Sequence, residues 1–212
     1  MKGKRYFRKI RRIIRSRFDE NEEQHFHEEN IEIMHQHHGY SKFSKLLRSY
    51  IPKNALVLDL GCNKGFETAI IAQTNKVVGI ELFKDFVNVA KNKRQVDARQ
   101  MDFHNLIFHN EFDCVYSNNT LEHSRYPDKV IKGVACALKK NGLFIIGMPT
   151  DGNNPTISDP AHHFKATKED VLQLLESDFV TLESYEIDTK ERWDWDNPPS
   201  KNKMLIVIAQ LK

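Results

Sequence analysis

From Ala55 onward, short apolar runs alternate with stretches of helical periodicity. Ala55–Leu60, Val77–Ile80, Ala98–Met101, Asp113–Ser117, Leu143–Met148, Phe179–Ile187 and Met204–Gln210 read as strands, the third weakly and the last strongly. Phe66–Gln73, Lys84–Lys91, Asp128–Leu138 and Lys168–Leu175 read as the helices between them. Such strict alternation, with strands nearly continuous in apolar residues, predicts a mostly parallel α/β sheet covered on both faces. No helix separates the last two strands, so they are expected to form an antiparallel hairpin at one edge.

Before Pro52 the pattern differs. Tyr6, Phe7, Ile10, Ile13, Ile14 and Phe18 recur at three- and four-residue steps and predict an amphipathic helix. Residues 21–50 also read as helical, with Ile31, Ile33, Met34, Phe43, Leu46, Leu47 and Tyr50 as the apolar positions. The division expected is therefore a basic helix and helical cap over 1–50 and an α/β domain over 51–212.

Charge sharpens the picture of the head. Residues 2–17 hold nine Lys and Arg and no acid; residues 19–32 hold seven acids and no base. With a formal net charge of +3 overall, the remainder of the chain is mildly acidic. One reading of residues 5–18 is peripheral attachment to an anionic membrane surface or to nucleic acid. The other docks the apolar stripe on the body and leaves the cations to solvent or to the acidic run. His25, His27, His35, His37 and His38 include one helical i, i+3 pair (His35 and His38) but no evident third ligand, so no metal site is expected.

Composition removes several classes. The chain has 212 residues, 40% hydrophobic and 29% charged, with Gly 9 and Pro 7, which suits a globular domain rather than a collagen-like or low-complexity chain. No apolar run approaches the roughly 20 residues that span a bilayer. The basic start lacks the apolar core of a secretion signal. Cys62, Cys114 and Cys136 are widely spaced and odd in number, so neither a disulfide framework nor a metal knuckle is expected. Together these place the protein in the cytoplasm, with peripheral contact at the inner membrane surface through the head as one option.

Chemistry concentrates at Val57-Leu-Asp-Leu-Gly-Cys-Asn-Lys-Gly65. A buried strand ends in a glycine turn that opens directly into a helix. That arrangement presents backbone amides and a helix N-terminus at the carboxyl edge of the sheet, where open α/β sheets bind ligands. Gly61 permits a tight approach and Gly65 a close helix start. Asn63 stands where a dinucleotide loop wants glycine; it tolerates left-handed backbone angles, but leaves less room for a pyrophosphate. Glu81 closes the second strand, twenty-two residues after Asp59, a position suited to gripping a ribose through its hydroxyls.

With Asp102-Phe103 ahead of Leu106-Ile-Phe108 and Phe112-Asp113, and Tyr116-Ser-Asn-Asn-Thr-Leu-Glu-His123 after the fourth strand, residues 53–148 resemble the class I S-adenosylmethionine-dependent methyltransferases of the type-11 branch. The resemblance implies a Rossmann-like sheet of seven strands and S-adenosylmethionine as cofactor. Carried across, Asp59 would lie near the methionine ammonium. Gly61, Cys62, Asn63 and Gly65 would pass beneath the methionine and ribose. Glu81 would take the ribose hydroxyls and Leu82 would pack on adenine. Asp102 would accept from the adenine amino group while the Phe103 amide donates to the ring, and Ser117 and Asn118 would approach the methionine. Cys62 and Leu82 have a plain packing alternative, and Asp102 a turn-capping one.

Methyl transfer needs a positioned nucleophile, and a base only where that nucleophile carries a proton. His123, in Leu121-Glu-His123, and His162 and His163, in Asp159-Pro-Ala-His-His-Phe164, are the base candidates, with His123 and His163 taken as the catalytic pair. Trp193 and Trp195, in Arg192-Trp-Asp-Trp-Asp-Asn-Pro-Pro199, could wall a substrate pocket or cap the hairpin. The acceptor expected is a small molecule, glycan or lipid-linked group, methylated on oxygen. The alternatives are an RNA methyltransferase steered by the basic head and a non-catalytic cofactor-binding regulator.

Overall fold

The apolar runs of the sequence pair side by side into a single sheet. The computed structural model describes residues 42–150, 161–188 and 203–212. The basic head, the acidic run, the histidines of 25–38, most of the Pro149–Pro160 connection and the Trp193/Trp195 loop lie outside the described residues.

The first described element is helix α1 (Lys42–Ser49). Strand β1 (Leu56–Leu60), helix α2 (Phe66–Ile71), β2 (Lys76–Glu81), α3 (Lys84–Arg94) and β3 (Asp97–Gln100) follow. A short 3-10 turn at Phe103–Asn105 leads to β4 (Phe112–Asn118), and a second at Leu121–His123 leads to α4 (Pro127–Ala137). The chain closes with β5 (Leu138–Thr150), α5 (Lys168–Leu175), β6 (Phe179–Asp188) and β7 (Lys203–Leu211). The seven strands lie in the order β3-β2-β1-β4-β5-β7-β6. β1 pairs in parallel with β2 and β4, β2 with β3, and β4 with β5. β7 runs antiparallel between β5 and β6, with β6 outermost.

Two features differ in detail from the periodicity. β5 starts at Leu138, before the expected Leu143, because α4 ends at Ala137 and the extended Leu138 pairs at once with Phe112. Lys139, Lys140 and Asn141 are polar and at least half-exposed, which hid the pairing. The register shifts between Phe112 and Cys114, and Asp113 there accepts from Lys139 Nζ at 2.7 Å and from the Leu56 amide at 2.8 Å. β3 reads weakly because it is an edge strand with Ala98 as its one buried residue.

Alternation along β1 divides the core. Leu58 and Leu60 face one cluster with Val115, Val130, Val134, Phe144, Val171 and Leu175, which covers the face under α4 and α5. Val57 faces another with Ile71, Cys114, Tyr116, Ile145 and Ile206, and Leu47 of α1 is fully buried in it. α1 is tied further by an ion pair between Arg48 and Glu67, whose carboxylate also accepts from the Tyr116 hydroxyl at 3.3 Å. The helix before the sheet thus shares the sheet's own core. Leu47→Ala should cost about 2–5 kcal/mol of unfolding free energy by leaving a cavity. Urea denaturation showing less than ~0.5 kcal/mol would mean that α1 is not part of the cooperative unit.

Candidate active site

The chain runs outward from β1 to β2 and β3, then returns to place β4 on the other side of β1. The carboxyl ends of β1 and β4 therefore flank the crevice where the direction of winding reverses, the site at which such sheets bind ligands. Most of the sequence-derived candidates line it.

Gly61 leaves β1 with φ +69°, and a Cβ there would lie 2.5 Å from the Thr120 side chain. Thr120 Oγ1 donates to the Leu60 carbonyl at 3.0 Å, so the segment after β4 is clamped onto the glycine turn. Asn63 adopts φ 51°, the left-handed angle that its side chain tolerates. Gly65 caps α2 at φ +79°, with Ala90 and Val96 too close for any side chain. The Cys62 amide donates to the Ile80 carbonyl at 2.8 Å, while its side chain is buried among Val87, Ala90, Val96 and Ala98. Burial pushes the Cys62 thiol far up, so it stays protonated, packing beneath the turn and donating weakly to the Asn63 carbonyl at 3.7 Å.

Two carboxylates are buried at this edge. Asp59, 3% exposed, accepts from Thr68 Oγ1 at 2.7 Å. Burial raises its pKa to about 7, against the Thr68 hydrogen bond and with help from nearby Glu67 and Glu81. Glu81 is 8% exposed; its Oε2 accepts from the Asn63 amide at 3.0 Å and its Oε1 from the Phe83 amide at 3.1 Å. Burial raises its pKa too, opposed by those amides. Each oxygen keeps a second lone pair for another donor. Leu82, beside it, is a half-exposed apolar side chain. Ser117, at the end of β4, is buried with its Oγ unpartnered, a polar group awaiting a partner. Asn118 donates to Ser44 Oγ of α1 at 3.3 Å.

Asp102 is more heavily engaged. Its Oδ1 accepts from the His104 amide at 2.8 Å and faces the His104 ring at 2.8 Å, and its Oδ2 accepts from Asn105 at 3.1 Å. Partial burial opposes its charge, yet the His104 amide and ring hold the carboxyl net below its usual range. It caps the Phe103–Asn105 turn, and through His104 Nε2, 2.9 Å from Ser124 Oγ, that turn joins the segment after β4.

On the other side, the structure brings His123 together with His162. Their rings meet edge-on with centroids 5.0 Å apart. His163 is exposed, pointing away as its neighbour points in. Of the two adjacent candidates it is His162 that meets His123, since adjacent residues of an extended segment face opposite sides. Thr68, Thr120, His104, Ser44 and Arg48 support the site without a signal in the sequence, because their roles depend on contacts across the fold.

Residues 58–146 match the family described as "Methyltransferase domain". This segment is a class I S-adenosylmethionine-dependent methyltransferase domain of the type-11 branch. The methyltransferase domain's cofactor is S-adenosylmethionine, and the two buried carboxylates, the turn with no room for a Cβ and the unpartnered Ser117 hydroxyl fit a ligand bearing an ammonium and a ribose. The ubiquinone biosynthesis O-methyltransferase of Pelagibacter ubique strain HTCC1062 is 32% identical over 100 residues, 44% of this chain and 42% of that protein. The matched segment is thus less than half the length of that relative. The TehB-like S-adenosylmethionine-dependent methyltransferase of Corynebacterium glutamicum shares the fold at TM-score 0.66 and 17% identity, over 92% of this chain and 100% of that one. The [4+2]-cyclase SpnF shares it at TM-score 0.69 and 18% identity, over 79% of this chain and 80% of that one.

The fit of Gly61 against Thr120 has a measurable signature. Gly61→Ala should destabilise the methyltransferase domain by about 2–4 kcal/mol, through the positive φ and the clash together. Adding Thr120→Ala should recover part of that loss, with a coupling of at least ~1 kcal/mol in a double-mutant cycle of denaturation midpoints. Simple additivity would mean that the two side chains do not meet.

Proposed function

We propose that the protein transfers a methyl group from S-adenosylmethionine to a hydroxyl of a small-molecule, glycan or lipid-linked acceptor. The observation that carries this reading is the pair of buried carboxylates, Asp59 and Glu81, at the tips of adjacent parallel strands around the glycine turn. The distant O-methyltransferase relative supports an oxygen acceptor.

S-adenosylmethionine, when bound, supplies a methyl group already activated on a sulfonium. The chain's own residues bind and orient. Asp59 balances the methionine ammonium, since a buried carboxylate with one neutral donor gains most from a cation. Glu81, its geometry set by the Asn63 and Phe83 amides, accepts from the ribose hydroxyls. Leu82 lies against the adenine, and the Phe103–Asn105 turn borders its edge, with Asp102 acting mainly as the turn's cap. Ser117 gives its hydroxyl to the methionine end, and Asn118, held by Ser44, shapes that end of the crevice. His123 and His162 stand on the acceptor side.

Glu81→Ala should weaken S-adenosylhomocysteine binding by about 1–3 kcal/mol, roughly 5- to 150-fold, in calorimetry. A folded variant with wild-type affinity would remove the ribose assignment. Label transfer from methyl-labelled S-adenosylmethionine to a panel of hydroxylated acceptors tests the activity; cofactor binding without turnover on any of them would favour a regulatory cofactor-binding role.

The raised pKa of Asp59 adds a pH test. In the cofactor-free protein the folded state keeps this proton up to about pH 7, whereas an unfolded Asp loses it near ~4. Its contribution to stability therefore falls as pH rises from ~4 to ~7. A bound ammonium favours the carboxylate, so cofactor affinity should rise with pH between ~5 and ~7.5. Asp59→Asn should flatten both trends; a wild-type affinity that falls over this range would contradict the assignment.

A further inference from the structure

The segment between β4 and α4 meets the segment before α5 at a group of chemistry-bearing side chains that cofactor binding does not use. Glu122, His123 and His162 each offer one ligand atom, and these atoms lie within 4.8 Å of one another. Glu122 is 2% exposed, an unusual depth for a carboxylate unless it meets a proton donor or a cation. The two histidines are half-buried.

The backbone holds the group together. The Phe164 amide donates to the Glu122 carbonyl at 2.9 Å. His123 Nδ1 lies 3.1 Å from the Ala161 carbonyl oxygen. A carbonyl can only accept, so Nδ1 carries the proton and Nε2 of a neutral ring is the nitrogen with the lone pair. Fixing the tautomer in this way, by a backbone carbonyl on the far nitrogen, is how metal-ligating imidazoles are oriented.

We infer that Glu122, His123 and His162 form a binding site for a first-row divalent cation such as Mn2+, Co2+ or Zn2+. Two imidazoles and one carboxylate suit such ions better than Mg2+ or Ca2+, which favour oxygen ligands. Three protein ligands leave coordination positions open. The site begins two residues after Thr120, the side chain packed on Gly61 at the cofactor turn. Resting on the methyltransferase reading, its role would be to hold the oxygen of the acceptor, making its hydroxyl easier to deprotonate. The sequence raised a metal question at the histidines of 25–38; this site instead joins residues nearly forty positions apart, which spacing along the chain could not show.

The test uses the untagged full chain, stripped with EDTA and titrated with Co2+ followed by visible absorption and with Mn2+ followed by electron paramagnetic resonance. His25, His27, His35, His37 and His38 could take up ions of their own, so the reading is a difference between variants. His162→Ala and Glu122→Gln should each bind one equivalent fewer than wild type, or bind that equivalent at least tenfold more weakly. His109→Ala, an exposed histidine elsewhere, should match wild type. Because Glu122 is buried, His162→Ala carries the test should Glu122→Gln fail to fold. Unchanged stoichiometry and affinity in His162→Ala, with S-adenosylhomocysteine still bound, would overturn the cation site and leave the methyltransferase reading intact. Loss of the equivalent in His162→Ala, in a wild-type protein that binds no S-adenosylhomocysteine, would support the site while removing its proposed role.

Discussion

Burying carboxylates where two parallel strands end is the constraint around which the rest of this site is arranged. A buried carboxylate is expensive unless hydrogen-bonded or paired with a cation. Glu81 is answered from within the chain, by the amides of Asn63 and Phe83, and in accepting them it holds the glycine turn in shape. Asp59 is answered only by the Thr68 hydroxyl, and burial leaves its proton loosely poised near pH 7. One carboxylate is therefore held by two backbone amides, while the other has a single neutral donor.

The turn that these carboxylates serve is held from three sides. Thr120 locks it to β4, Ala90 and Val96 press on Gly65 from α3, and the Cys62 side chain anchors beneath Gly79. Beyond it, the Arg48–Glu67 ion pair with Tyr116 joins α1, α2 and β4, and Asn118 with Ser44 joins the end of β4 to α1. The Asp102–His104–Ser124 chain joins the turn after β3 to the segment after β4. Loops from four strand ends are thus tied to one another by side-chain contacts. Preorganisation of this kind lowers the ordering cost of binding a flexible cofactor.

What was legible along the chain follows from the range of the forces involved. Strand and helix alternation is a local pattern, and the seven strands and the edge hairpin could be read from it; the early start of β5 could not, because its first pairing depends on Phe112 across the sheet. Asp59, Gly61, Gly65 and Glu81 announced themselves, since carboxylates and glycines at strand ends need special reasons. Thr68 and Thr120 did not, as a threonine gives no hint of which distant oxygen it will meet. The His162–His163 ambiguity had the same origin. Two adjacent histidines are equivalent in sequence, and only the pinning of Phe164 to Glu122 decides which one turns inward.

The Glu122, His123 and His162 group and the glycine turn stand on different supports. The glycine turn and its two carboxylates stand on β1 and β2, elements fixed by the sheet. The Glu122, His123 and His162 group stands on the turn after β4 and the segment before α5, joined by the Phe164 amide to the Glu122 carbonyl and by the His123 ring to the Ala161 carbonyl. Leu121 of that turn and Ala166 before α5 are buried in the same cluster as Leu58, Val115 and Phe144, so this side too is anchored in the core. The two groups meet at Thr120, whose side chain packs on Gly61 two residues before Glu122. The [4+2]-cyclase and the TehB-like methyltransferase share this fold at low identity, and a shared fold does not fix the chemistry it carries.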